Sequence, residues 1–180
     1  MNGSDLVHDG ALDAALLVVR IVLGLGMASH GAQKLFGWFG GHGLRGTGAF
    51  FETMGFRPGT LFAGMAGLGE FGGGLLLAVG LAGPVGPAVV VVTMVVAMRV
   101  AHRGKGFFAT SGGIELPLAY AAGIGGFAVI GHGAYAVDRW LGLASFWTPG
   151  LGWTALAIGV VAGFVIPMFR SGQARSSETS

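Results

Sequence analysis

Residues Thr60 to Ala82 read TLFAGMAGLGEFGGGLLLAVGLA. A helix crosses the hydrocarbon core of a bilayer with about 20 apolar residues, and this stretch supplies them with one charge, Glu70. Its glycines, Gly64, Gly67, Gly69, Gly73 and Gly74, put small residues three or four apart on one side. That spacing suits helices in lipid, where burying leucine against leucine gains little and close backbone approach does the associating. The run Gly69-Glu70-Phe71-Gly72-Gly73-Gly74 is not a phosphate cradle, since no strand precedes it and no Lys-Ser/Thr ends it.

Four further stretches have the same character: Leu12–Gly31, Val85–Ala101, Ile114–Ile130 and Leu151–Phe169. They are continuous rather than alternating with period two, which argues against a barrel. Gly83-Pro84-Val85-Gly86-Pro87 predicts a tight turn between the second and third spans. Thr110-Ser111-Gly112-Gly113 is plausible capping chemistry for the fourth span, and Pro117 falls in its first turns, where proline is tolerated. The expected fold class is an all-α membrane protein, a bundle of five transmembrane helices. Gly24 and Gly31 on the first span, and Gly64, Gly67, Gly73 and Gly74 on the second, are the expected packing positions.

Composition agrees. Of 180 residues, 53% are hydrophobic and only 10% charged, against about 25% charged in a soluble domain. The chain has no cysteine, which rules out disulfides, thiol exchange and thiolate metal or iron–sulfur sites. A net charge of +2 points to no acidic partner, and the few basic residues make no nucleic-acid surface. Asp5, Asp9 and Asp13 precede the first basic residue, Arg20, the reverse of a signal peptide.

Loop charges predict the orientation. Lys34, Arg45, Arg57, Arg99, Arg103, Lys105, Arg170 and Arg175 fall on one side, and Arg139 on the other. The N-terminus is therefore expected outside and the C-terminus in the cytoplasm of a multi-pass cell-membrane protein. The segment Phe36 to Phe56 mixes glycine with six aromatics and reads as a short amphipathic or re-entrant piece at the surface. Trp140, Phe146, Trp147 and Trp153 suit an aromatic belt on the outer side.

An intramembrane charge costs several kcal/mol unless it is paired or hydrated. Aligning the first two spans sets Arg20 within about one helical turn of Glu70 in depth, so the expectation is a buried Arg20–Glu70 ion pair that fixes helix register or positions a ligand. A second polar group gathers at the cytoplasmic ends: His30, Gln33 and Lys34 close the first span, Arg99 and His102 the third, and Glu115 opens the fourth. A headgroup-facing rim accounts for the lysines and arginines. A histidine and a carboxylate opening into an apolar bundle can instead bind a quinone-like head group and pass its protons. The candidate ligand-site residues are thus Arg20, His30, Gln33, Lys34, Glu70, His102 and Glu115. His30 and His102 also leave a bis-histidine haem open, though lone histidines near membrane ends are more often polar anchors. His8, His42 and His132 read as solvated loop residues. No zinc-type spacing and no serine or threonine nucleophile motif occurs, so no metal is expected and the catalytic residues, if any, are left unassigned.

Arg20, His30-Gly31-Ala32-Gln33-Lys34-Leu35-Phe36-Gly37, Gly69-Glu70-Phe71-Gly72-Gly73, Gly112-Gly113-Ile114-Glu115-Leu116-Pro117 and Gly131-His132-Gly133-Ala134-Tyr135-Ala136-Val137-Asp138-Arg139 together resemble the DoxX family of small bacterial and archaeal membrane proteins. The resemblance spans about residues 12–142. It implies a four-helix membrane module attached to redox metabolism, with Arg20, His30, Gly31, Lys34, Glu70 and Glu115 as its polar core positions. Such proteins are associated with quinone and sulfur-compound oxidation or with protection from oxidants. The implied fold is similar to the bundle of vitamin K epoxide reductase, but that enzyme's chemistry needs cysteines and does not transfer. The resulting organisation is a short extracytoplasmic N-terminus (1–11), the four-helix domain (12–142), an outer loop with the appended helix (143–169) and a flexible cytoplasmic tail (170–180).

The functional expectation is a redox-linked membrane module that binds a membrane quinone as its one candidate cofactor and works with membrane redox proteins, its electrons coming from elsewhere. An accessory subunit of a larger respiratory or oxidant-defence complex is the alternative, held by the fifth span. A small-solute transporter has less support, because no inverted repeat or pair of broken helices is evident.

Overall fold

All five apolar stretches fold as helices. The computed structural model describes the backbone of residues 3–171 and the side chains of residues 10–171. The side chains of Asp5, His8 and Asp9, and the tail from residue 172 with Arg175, lie outside these described residues. Within them the architecture is all-helical: α1 (Gly3–Leu35), α2 (Gly43–Thr53), α3 (Gly59–Val79), α4 (Val85–Val100), α5 (Glu115–Ile130), the single turn α6 (Val137–Trp140) and α7 (Pro149–Val165). A 3₁₀ turn, Ile166–Phe169, extends α7. Three helical segments are long and apolar enough to cross a membrane: Gly10–Leu35, Gly59–Val79 and Pro149–Phe169. The two shorter apolar helices, α4 and α5, have 16 residues each, or about 24 Å of rise.

Glycine sets the register of α1 on α3. A Cβ on Gly24 would stand 2.6 Å from the Gly74 carbonyl oxygen, and one on Gly31 would be 2.6 Å from that of Gly67. Real side chains do not come that close, so only glycine lets the two backbones touch. Position 24 therefore faces 74 and position 31 faces 67, an antiparallel pairing that also sets 20 opposite 78. Gly73 opens α3 to Gly86 and Val90 of α4 in the same way, whereas Gly64 meets only the Leu44 side chain at an ordinary 3.7 Å. Helices α1, α3, α4 and α5 close a four-helix core around Met27, Leu77, Val90, Met94, Ile124 and Phe127. Helix α7 lies outside it against α4 and α5, through Gly159 and Gly163 on α4 and Gly152 on α5.

The turn after α3 forms as expected, with Pro84 capping α4 and Pro87 in its first turn. The Thr110–Gly113 segment does not cap α5. Ile114 takes that position without a side-chain bond, because Ala109–Ser111 is spent on its own 3₁₀ turn. The Phe36–Phe56 segment holds α2, which packs on α3 and α1; it buries Phe56 while Trp38, Phe39 and Phe50 stay exposed. Trp140, Phe146 and Trp153 are likewise exposed. Trp147 is not, and its indole nitrogen is buried with the ring against Gly83.

Candidate functional site

The expected Arg20–Glu70 pair is not formed. Arg20 is almost fully buried, but its guanidinium donates to the Ala78 carbonyl and, at 2.8 Å, to that of Tyr135. The glycine register explains the error. The first helix continues to Leu35, beyond the Gly31 boundary read from hydropathy, so matching span centres misplaces α3. The level of Arg20 is that of residue 78, eight residues or about 12 Å from Glu70. Arg20 instead satisfies carbonyls left open at the C-terminal end of α3.

Glu70 finds Lys34, with Nζ to Oε2 at 2.5 Å. Side-chain exposure is 5% for Glu70 and 27% for Lys34, so the carboxylate is sealed while the ammonium keeps a path toward water at the end of α1. Lys34 is therefore not the headgroup-facing rim residue its position suggested. The pair forms the charged wall of a cavity of about 420 Å³ between α2, α3 and α4, closed by Ile166 beyond α7. Phe50, Phe51, Met54 and Phe56 come from α2 and its exit, Phe62 and Met65 from α3, and side chains between Val89 and Val100 from α4, with Ala101 and His102 just beyond its end. Besides the ion pair, only Thr47, Thr93 and His102 add polar side chains to the lining. The Thr93 hydroxyl donates to the Val90 carbonyl at 2.8 Å. His102 Nδ1 lies 2.6 Å from the Gly112 carbonyl; a carbonyl only accepts, so Nδ1 carries the proton and a neutral ring keeps Nε2 as an acceptor.

Of the seven candidate residues the structure thus gathers Lys34, Glu70 and His102 on one cavity. The other four serve elsewhere. His30 is exposed and meets Tyr120 of α5 edge-on, with ring centroids 5.9 Å apart; it shares no partner with His102, the other histidine weighed as a haem ligand. Gln33 donates to the Phe39 carbonyl at 3.2 Å. Glu115 accepts the Ala109 N–H at 2.7 Å, and with His102 it ties down the loop between α4 and α5. The cavity phenylalanines were legible only as a surface anchor, since their periodicity shows an amphipathic helix but not what it covers. Thr93, a lone hydroxyl in a valine run, is the one sequence signal for this wall.

The opposite end holds a second constellation. Asp138 accepts the N–H groups of Ala82 and Gly83 at 3.0 and 2.7 Å, and Asp13 accepts that of Ala134 at 2.8 Å. His132, expected to be solvated, is buried and stacks on Phe127. Burial pushes its imidazole down to about 4, with Asp138 opposing the shift and Arg20 adding to it.

No curated protein and no solved structure matches the chain. A family model does, over residues 15–103, from the first apolar turns of α1 to just past α4. The match covers Lys34, Glu70 and His102 and ends before the Gly131–Arg139 loop to which the resemblance extended. Through this segment, the chain belongs to the DoxX family.

Proposed function

We propose that the Lys34–Glu70 cavity binds the head group of a quinone-like lipid. One observation carries the reading: an apolar, phenylalanine-lined cavity whose charged groups are a single ion pair. Its volume lies within the ~300–1,000 Å³ of small-molecule sites. A quinone offers an apolar ring and tail to the walls and carbonyl oxygens to a donor. Lys34 has three N–H donors and commits one to Glu70, leaving others for a carbonyl. The Glu70 carboxylate and His102 Nε2 are the acceptors for protons that a reduced head group releases. The chain carries no cysteine, so the reading assigns electron transfer to a partner membrane protein. In this reading the basic end of the bundle faces the cytoplasm and the N-terminus lies outside.

Mass spectrometry of protein extracted in mild detergent tests this. The wild type should carry a bound quinone, and Ala97→Trp, which fills the cavity from α4, should lose it while remaining monodisperse. Phospholipid alone in both proteins would refute the reading.

A further inference from the structure

Three buried polar nitrogens among the described residues have no hydrogen-bond partner: Arg20 Nε, His132 Nε2 and Trp147 Nε1. All three belong to the end of the bundle away from Lys34 and Glu70. His132 and Trp147 line a cavity of about 380 Å³, separate from the first and walled also by Asp13, Phe127 and Asp138. A buried donor left unpaired is costly, and none of these atoms is exposed to bulk water.

The chemistry of the orphans selects the ligand. On the cavity wall Trp147 Nε1 can only donate, so its missing partner is an acceptor. The acceptors nearby are already engaged: Asp13 and Asp138 take backbone N–H groups, and the Ala78 and Tyr135 carbonyls take Arg20. Charge gives an anion little support, because Asp13 and Asp138 outnumber Arg139 on the cavity lining. It also argues against a cation, because Arg20 stands behind His132 and the imidazole is held neutral. An uncharged oxygen remains. The neighbouring exposed aromatics Trp140, Phe146 and Trp153 mark the depth at which such residues meet the bilayer interface.

We propose that the His132–Trp147 cavity is a second binding site, for the carbonyl oxygen of an uncharged group, supplied by a lipid ester or by a small carbonyl solute. It stands independently of the quinone reading.

The test uses full-length protein labelled with ¹⁵N-tryptophan and ¹⁵N-histidine, in nanodiscs of ester-linked phosphatidylcholine or of the ether-linked form, which lacks carbonyls. Trp147→Phe serves only to assign the indole resonance, and the ¹⁵N shift of His132 in the wild type is a second readout. A downfield shift of the Trp147 indole N–H in ester over ether lipid supports the lipid source. A shift that arises in ether lipid only on adding N,N-dimethylacetamide, which accepts but cannot donate, supports the solute. A bonded indole in ether lipid without the amide means water fills the site and overturns the proposal, as does an unbonded indole in all three samples.

Discussion

Replacing Lys34 by methionine should destabilise the protein far more than replacing Glu70 by leucine, although both changes break the same ion pair. The asymmetry follows from the surroundings. Without Lys34, the Glu70 carboxylate is left 5% exposed with no other hydrogen-bonded partner. Stranding a buried charge in this way costs about 3–5 kcal/mol. Without Glu70, Lys34 is still 27% exposed and lies in the last turn of α1, so its ammonium can extend toward water; the cost should be only about 1 kcal/mol. Removing both strands nothing, so the double variant should be more stable than Lys34→Met alone, with a coupling on the order of 2–3 kcal/mol. Helical circular dichroism during denaturation in mixed micelles measures all three variants. Equal and additive losses would refute the reasoning.

Other expectations follow from the packing and the far end of the bundle. Gly31→Leu should separate α1 from α3 and lower stability by about 1–3 kcal/mol or more, read by the same denaturation, while Gly64→Leu, which meets only a movable side chain, should cost less. His132 is held neutral, with its imidazole lowered from 6.5 to about 4. The unfolded chain therefore binds the proton first, and stability should fall as the pH drops from 6.5 toward 4, by about 3 kcal/mol in all. His132→Phe should flatten that slope. Asp138→Ala leaves two N–H groups of the α3–α4 turn unpaired, at about 1–3 kcal/mol each, and should speed amide exchange at Ala82 and Gly83. Because the chain lacks cysteine, single cysteines at Ser145 and Lys105 can report orientation: an impermeant maleimide should label the first and not the second in intact cells.

Hydropathy made the helices readable because crossing lipid constrains length and composition so tightly; α4 and the read span differ by a single residue, Ala101. The depth of each charge was less legible. Hydropathy shows where a helix leaves the apolar core, but α1 runs on through Ala32-Gln33-Lys34-Leu35, and those added residues move its pairing with α3. The glycines hold the missing information as matched pairs, 24 with 74 and 31 with 67, which one sequence does not announce. His132 and Asp138 look like ordinary loop residues, since their burial comes from a connection folding back over the ends of α1 and α3. The Lys34–Glu70 cavity was the least visible, because its walls come from three helices and no single periodicity records it.

The Lys34–Glu70 cavity as a quinone head-group site is the central claim, and photolabelling probes it directly. A benzoquinone bearing a short photoreactive tail, irradiated with the membrane-embedded protein and mapped by peptide mass spectrometry, should mark the α3 and α4 residues around Met65 and Thr93, with labelling lost in Ala97→Trp. Label confined to the lipid-facing side of α7, and unchanged in that variant, would contradict it.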